Sequence, residues 1–166
     1  VTPGFNIRDG QGEVYVIKFD PPDYPRTTLT AGVVSARLFW AMGFNVPQDN
    51  IVLFRPEELD IESDITYTTG SGVEKSFGEK ELDELLARLP TLPDGRYFAL
   101  ASKLLGGEYM GPFDFAGRRK DDPNDRIDHQ DRRLLRGLRI FAAWLNHFDT
   151  KQHNTLDMYV EEDGRS

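Results

Sequence analysis

The chain has 166 residues, which is enough for one domain or for two small lobes, and its 11 % aromatic residues argue against an intrinsically disordered protein. A formal net charge of −8 argues against non-specific binding to nucleic acid or to anionic membrane surfaces, because both depend on Lys and Arg. The absence of cysteine excludes disulfides, thiolate catalysis and Cys-based zinc sites.

A β-hairpin is predicted at the start of the chain. The turn residues Asp9-Gly10-Gln11-Gly12 precede the run VYVIKF, which is rich in β-branched and aromatic residues. Prolines at 21, 22 and 25 interrupt this strand. Apolar residues at near-helical spacing then predict a helix over 28–42 that ends at Gly43.

Short strands and one helix are predicted in the middle of the chain. The strands are expected at 51–54 and 97–105, and a second hairpin is expected around the Thr-Gly-Ser-Gly turn at 69–72. Leucines at helical spacing predict an amphipathic helix over 79–89. Two glycines at 106 and 107 then form a flexible joint.

A polar loop over 113–128 leads into the most strongly periodic helix, predicted over 130–146. Its inward-facing residues are predicted to be Leu134, Leu135, Leu138, Phe141, Ala142 and Leu145. Its arginines are interpreted as a solvated surface. Strands dominate the first part of the chain and a long helix the last part, so the predicted fold class is α+β, with a sheet-rich front and a helical back.

The segment after this helix, LNHFDTKQHNTLD, contains His147, Asp149 and Asn154 in the pattern H-x-D-x-x-x-x-N. Phosphoryl transfer needs a carboxylate that orients the attacking hydroxyl and an oxygen ligand for magnesium, and Asp149 and Asn154 supply both. Two alternatives remain open. Asp149 and Asn154 also suit a helix end and a turn, and His147, Asp149 and His153, with His129 nearby in sequence, also suit a transition-metal site.

Lys18 is conspicuous because it lies within an apolar strand. An ammonium group is costly to bury without a partner, so if Ile17 and Phe19 face one side of the sheet, Lys18 faces the other. There it is either an anchor for nucleotide phosphates or a solvent-facing lysine. Gly10 and Gly12 suit a tight hairpin turn at least as well as a phosphate-covering loop, because neither glycine-rich phosphate motif is present.

The strand ending in I-K-F, the helix after it and the distal L-N-H-x-D-x-x-x-x-N-T-L together resemble the atypical protein-kinase-like superfamily. That superfamily includes HipA-like kinases, spore-coat CotH kinases and phosphoinositide lipid kinases, and the chain is most similar to a bacterial group within it. The resemblance implies an ATP- and magnesium-dependent phosphotransferase, with a nucleotide-binding lobe over 1–105 and the beginning of a helical catalytic lobe over 106–166.

The resemblance also implies roles for individual residues. Lys18 would contact the nucleotide phosphates, Asp149 would be the catalytic carboxylate, and Asn154 would bind magnesium. His147 would support the catalytic loop. The hinge beside the adenine would lie near 101–105, and Ala101 and Lys103 are the predicted nucleotide-binding residues there.

Two departures from the family pattern affect these expectations. No acidic residue lies between Asp23 and Asp49, so the helix after Lys18 lacks the carboxylate that pairs with this lysine in protein kinases, and Asp20 or a residue from elsewhere would replace it. A metal-binding Asp is expected on a strand beyond Asn154, and Asp157 is the only nearby candidate.

The missing metal ligand and the absent initial Met lead us to expect a fragment, cut near the turn at Asp163-Gly164, with little or no activity by itself. Apolar surface would then be exposed, for example at Trp144 or Leu156, and would promote association. The expected partners are a nucleotide and an unidentified hydroxyl acceptor, without nucleic acid. No membrane span is expected, because no apolar run approaches about 18 residues.

Two other functions compete with the phosphotransferase. A pseudokinase or nucleotide-binding module without turnover is favoured by the acidic gap after Lys18. A metal-dependent hydrolase would use His147, Asp149 and His153.

Overall fold

The computed structural model describes residues 4–160, which form a mixed α+β structure. Within this range there are three α-helices, α1 Thr28–Ala41, α2 Glu79–Leu86 and α3 Arg133–Trp144. The strands are β1 Gly4–Arg8, β2 Val14–Lys18, β3 Asp49–Phe54, β4 Thr66–Thr68, β5 Glu74–Ser76, β6 Tyr97–Lys103, β7 Glu108–Gly111 and β8 Asp157–Tyr159. The α+β class is therefore confirmed.

The chain divides into two compact units, one up to Leu104 and one from Leu105 onward. The first unit contains a four-stranded sheet in the order β1-β2-β6-β3, in which neighbouring strands are antiparallel. It also contains the small β4–β5 hairpin, which confirms the predicted turn near residue 70. The expected cut near Asp163-Gly164 lies outside the described residues.

The turn between β1 and β2 is organised by one carboxylate. Asp9 Oδ1 accepts hydrogen bonds from the backbone N–H groups of Gln11 and Glu13, each at 2.9 Å. Gly12 has a φ of +88°, which glycine adopts without the steric cost that a side chain would bring. These local features explain why the sequence predicted this hairpin correctly.

The core of the first unit lies between one face of the four-stranded sheet and α2. Its buried residues are Ile17, Phe19, Leu82, Leu86, Leu89, Ala99 and Ala101. Burying one leucine side chain contributes about 1.5–3 kcal/mol, so the three leucines of and after α2 are a large part of this core. The predicted leucine face is thus confirmed, with Leu85 half-buried at its margin.

Helix α1 packs on β3 and β6 and buries Leu29 and Phe39. Its predicted extent is confirmed to within one residue, because it ends at Ala41 and Gly43 follows with a φ of +88°. Residue Thr27 does not cap the helix with its side chain. The backbone N–H of Leu29, the second residue of α1, donates instead to Oδ1 of Asp20 at 3.0 Å.

The second unit contains β7, β8 and α3. The antiparallel pairing of β7 with β8 was not predicted, and it is interrupted by an irregularity between Tyr109 and Gly111. Helix α3 begins at Arg133 and not at residue 130, because residues 129–131 form a separate 3₁₀ turn.

The predicted inward face of α3 needs one correction. Leu134 is 56 % exposed, and every residue of α3 is either half-buried or exposed. Trp144 and Leu156, which were expected to be exposed, are exposed. In the part of the chain that the structure describes, none of the helices has the length and apolar character needed to cross a membrane.

Candidate functional site

The segment that carries the H-x-D-x-x-x-x-N pattern begins where α3 ends. Asn146 adopts a φ of +52°, a left-handed conformation that asparagine tolerates better than most residues. The next backbone N–H, that of His147, donates to the carbonyl oxygen of Ala142 at 2.8 Å. The start of the segment is therefore fixed by the last turn of the helix.

His147 also contacts the segment through its ring. Its Nδ1 lies 3.0 Å from Thr150 Oγ1, and this hydroxyl donates to the His147 carbonyl oxygen at 3.1 Å. These two contacts close a compact turn around Asp149. The Asp149 carboxylate itself is exposed, with the Lys151 ammonium 3.2 Å from its Oδ1.

Asn154 is tied directly to Asp149. Its Nδ2 donates to the backbone carbonyl oxygen of Asp149 at 2.8 Å. The amide group is thereby oriented, because the nitrogen is committed as a donor and Oδ1 remains as the acceptor end. One short turn thus holds an exposed carboxylate and an oriented amide oxygen, and these hard oxygen donors fit magnesium.

The alternative metal site gains no support from this geometry. Among the residues that the structure describes, no three His, Asp or Glu side chains form a group able to hold a metal ion. His147, Asp149 and His153 are therefore not assembled into a ligand set. Asp157, the candidate for the expected metal-binding Asp, has its Oδ1 2.5 Å from the Arg119 guanidinium in an ion pair.

Lys18 lies in the first unit, at the end of β2, with Leu100 and Gly4 as its neighbours in register. Ile17 and Phe19 both enter the core, whereas Lys18 is exposed. Side chains alternate between the two faces of a strand, so Lys18 projects from the face opposite the core. Lys18 forms no ion pair within the described range 4–160.

The two predicted nucleotide-binding residues of β6 have other contacts. The Ala101 side chain is buried in the core beside Ile17. Lys103 pairs with Glu13 at 3.0 Å, and this bond raises the pKa of Lys103. Any contact between this segment and an adenine would therefore use backbone groups.

A buried charged cluster, which was not predicted from the sequence, organises the polar loop. Asp125 Oδ2 accepts from the Arg119 backbone N–H at 2.6 Å and lies 2.7 Å from His129 Nε2, and Arg132 contacts the other carboxylate oxygen. The backbone N–H of Arg119, followed by His129 and Arg132, lowers the pKa of Asp125 to about 2. Asp125 lies outside any helix, so the i, i+4 spacing of Asp125 and His129 did not predict their contact.

The second nitrogen of His129 and its ring face complete this cluster. Nδ1 lies 2.5 Å from the Asp114 carbonyl oxygen, so both ring nitrogens face acceptors. The ring stacks on Phe113 with centroids 4.5 Å apart. The Arg119 guanidinium lies over the Phe113 ring, 5.5 Å from the ring centroid, and also pairs with Asp157. The loop and β8 are thereby linked within the second unit.

A pocket of about 330 Å³ lies beside α3 in the second unit. Its apolar wall includes Leu138, Ala142 and Phe148, and its polar margin includes His147 and Thr150. Asp149 does not line it. The pocket is therefore adjacent to the candidate site and separate from the carboxylate.

Comparison of the chain with protein-family models, with curated proteins and with solved structures finds no match.

Proposed function

We propose that this chain carries the nucleotide lysine and the catalytic turn of an ATP- and magnesium-dependent phosphotransferase with a kinase-like fold. The observation that carries the proposal is the Asn154–Asp149 hydrogen bond, which holds an amide oxygen and an exposed carboxylate on one turn. The order of a lysine-bearing strand, a helix, further strands and this turn follows the order of the motifs in protein kinases.

In this proposal each residue acts through the group that it exposes. The Asp149 carboxylate orients the acceptor hydroxyl and takes its proton. The hydroxyl oxygen forms a bond to the terminal phosphorus of ATP as the bond from that phosphorus to the ADP oxygen breaks. The Lys18 ammonium binds phosphate oxygens. Asn154 would hold magnesium, which would neutralise charge on the phosphates when bound.

A nucleotide-binding module without turnover is the second candidate. Two observations favour it: α1 has no acidic residue that could pair with Lys18, and the Asp157 carboxylate is held in an ion pair with Arg119. Both features remove carboxylates that phosphoryl transfer in protein kinases requires. The two candidates share the nucleotide site and differ in turnover, so binding and turnover are measured separately.

The test is calorimetric titration of ATP, with and without magnesium, into the wild-type protein and into Lys18→Ala. We expect magnesium-dependent binding that weakens at least about tenfold in the variant, because a charge-assisted contact with phosphate is removed. Lys80→Ala is the matched control, since Lys80 is an exposed lysine of the same unit that pairs with Glu84 at 3.9 Å.

Equal ATP affinity in the wild type and in Lys18→Ala would refute the proposal. Release of ADP by the full-length protein, at a rate that falls in Asp149→Asn, would favour the phosphotransferase over the binding module. Tight magnesium-dependent binding by the full-length protein without ADP release would favour the binding module.

A further inference from the structure

Asp20 is a buried carboxylate that lies two residues after Lys18. It is 5 % exposed, and its Oδ1 accepts the hydrogen bond from the backbone of Leu29 at the start of α1. Its second oxygen, Oδ2, is inaccessible to solvent and has no hydrogen-bond partner among the described residues. A buried polar atom in this state is unfavourable, because it has lost water without gaining another partner.

Asp20 lies two residues after Lys18, the last residue of β2. Ile17 and Phe19, on either side of Lys18, both enter the core, so Lys18 projects from the opposite face of the sheet. Two residues of extended chain span about 7 Å, which a flexible lysine side chain can cover. In this structure Lys18 is exposed and forms no ion pair with Asp20 among the described residues, so a change of the Lys18 side-chain rotamer is needed to bring the ammonium to the carboxylate.

Helix α1 offers no alternative partner for Lys18, since its sequence, TLTAGVVSARLFWA, contains no Asp or Glu. In protein kinases an acidic residue of the corresponding helix forms an ion pair with the nucleotide lysine. Asp20 is positioned to perform this role from the strand side while it holds the first turn of the helix. Its two oxygens would then have separate functions.

We infer that, when nucleotide binds, the Lys18 ammonium pairs with Asp20 Oδ2, which positions it on the nucleotide phosphates in place of a helix carboxylate. This inference rests on the proposed nucleotide site. Asp20 is a positioning residue and does not contact the nucleotide. The pairing satisfies the buried oxygen and links the start of α1 to phosphate binding.

The variant that tests this is Asp20→Asn. The asparagine Oδ1 preserves an acceptor for the Leu29 N–H, whereas the second oxygen is replaced by an NH2 group that cannot accept a hydrogen bond from the Lys18 ammonium. We expect the affinity for ATP with magnesium to fall about tenfold, while the affinity for adenosine is unchanged because adenosine has no phosphates. A simple capping role for Asp20 would change both affinities together or neither.

Asp49→Asn is the matched control. Asp49 lies on β3 of the same sheet, and its Oδ1 is also buried without a hydrogen-bond partner within the described residues. We expect this variant to bind ATP like the wild type. We also expect Lys18→Ala/Asp20→Asn to bind ATP no more weakly than Lys18→Ala, since Asp20 acts through the lysine.

The possible failures are distinguishable. If Lys18→Ala weakens ATP binding and Asp20→Asn does not, the pairing is wrong and the nucleotide site stands. If Lys18→Ala also has no effect, the proposed function fails and the inference fails with it. A loss of adenosine affinity in Asp20→Asn would show a structural role and would overturn the pairing.

If Asp20→Asn does not fold, the wild-type protein supplies the test. The side-chain carboxyl ¹³C resonance of Asp20 is expected to move on addition of ATP and magnesium and to stay in place with adenosine. If the chemical shift of this resonance does not change at a saturating concentration of ATP, the inference is overturned.

Discussion

Asp125 shows how much a single side chain contributes to a region without regular secondary structure. Its carboxylate accepts a hydrogen bond from the Arg119 N–H and contacts His129 and Arg132, so the polar loop and the segment before α3 meet at one buried group. The loop over 113–128 has no apolar period, and it therefore depends on such polar contacts for its structure. Removing the carboxylate would leave the Arg119 N–H and the buried His129 ring nitrogen without their partner and the Arg132 guanidinium without its ion pair.

The stability of the protein is expected to depend on the charge of Asp125 at acid pH. The folded pKa, about 2, lies below the ordinary value of 3.8. The contribution of the carboxylate is therefore fully present above about pH 4 and is lost as the pH falls towards 2. We predict that Asp125→Asn is less stable than the wild type above pH 4, and that the difference shrinks below pH 3. Urea denaturation at several pH values, followed by circular dichroism, measures this difference.

Asp128→Asn is the control for this experiment, because Asp128 is a partly exposed residue of the same loop that pairs with Arg118 at 2.9 Å. Surface pairs of this kind contribute about 0–1 kcal/mol. A difference between Asp125→Asn and the wild type that stays constant from pH 7 to pH 2 would contradict the assigned pKa shift.

At the scale of secondary-structure elements, the β7–β8 pair depends on one glycine. Gly107 has a φ of +97°, and a Cβ placed on it would lie 2.3 Å from the Tyr159 carbonyl oxygen. We predict that Gly107→Ala destabilises the protein by more than about 1 kcal/mol, because the substitution combines backbone strain with a clash against the backbone. Hydrogen exchange at the amides of β7 and β8 is expected to accelerate most.

Gly106 provides the matched control one residue earlier. A Cβ on Gly106 would meet nothing within 4 Å, so Gly106→Ala is expected to be nearly neutral or slightly stabilising. Equal stability of the two alanine variants would show that Gly107 does not constrain the β7–β8 pair.

The elements that the sequence predicted are those whose causes are local. The first hairpin has its turn residues and its capping Asp9 within a few positions, and α2 has its leucines at helical spacing. The β7–β8 pair joins strands of four and three residues that lie far apart in the chain. Neither strand is long enough to show a period, so this pairing was not predictable from local pattern.

The candidate site and its surroundings likewise contain residues that could be predicted from local sequence and residues that could not. His147, Asp149 and Asn154 lie within eight positions, and their spacing alone indicated a common turn. The charged cluster around Asp125 combines a backbone donor, a histidine and an arginine from positions that show no periodicity. The bond between Asp20 and the start of α1 likewise depends on packing and not on local sequence.

At the scale of the whole molecule, two features have opposite effects on association: a net charge of −8 disfavours it and an exposed apolar surface favours it. Ile140 and Trp144 lie one turn apart on α3, and each is 68 % exposed. Neighbouring apolar side chains of this kind form a patch that favours association, whereas isolated exposed side chains are ordinary. Repulsion between like-charged molecules acts against association at low salt and weakens as salt is added.

We therefore predict that the protein self-associates weakly and that association increases with salt. At about 1 M NaCl the Debye length falls to about 3 Å, so the apolar patch should dominate over the net charge. Sedimentation velocity at increasing protein concentration measures the effect, and Trp144→Ser is expected to reduce it. Trp40→Ser is the matched control, because Trp40 is 71 % exposed but has Ala36 and Arg37 one turn before it. Association that both tryptophan variants reduce equally would show that exposure alone, and not the patch on α3, is responsible.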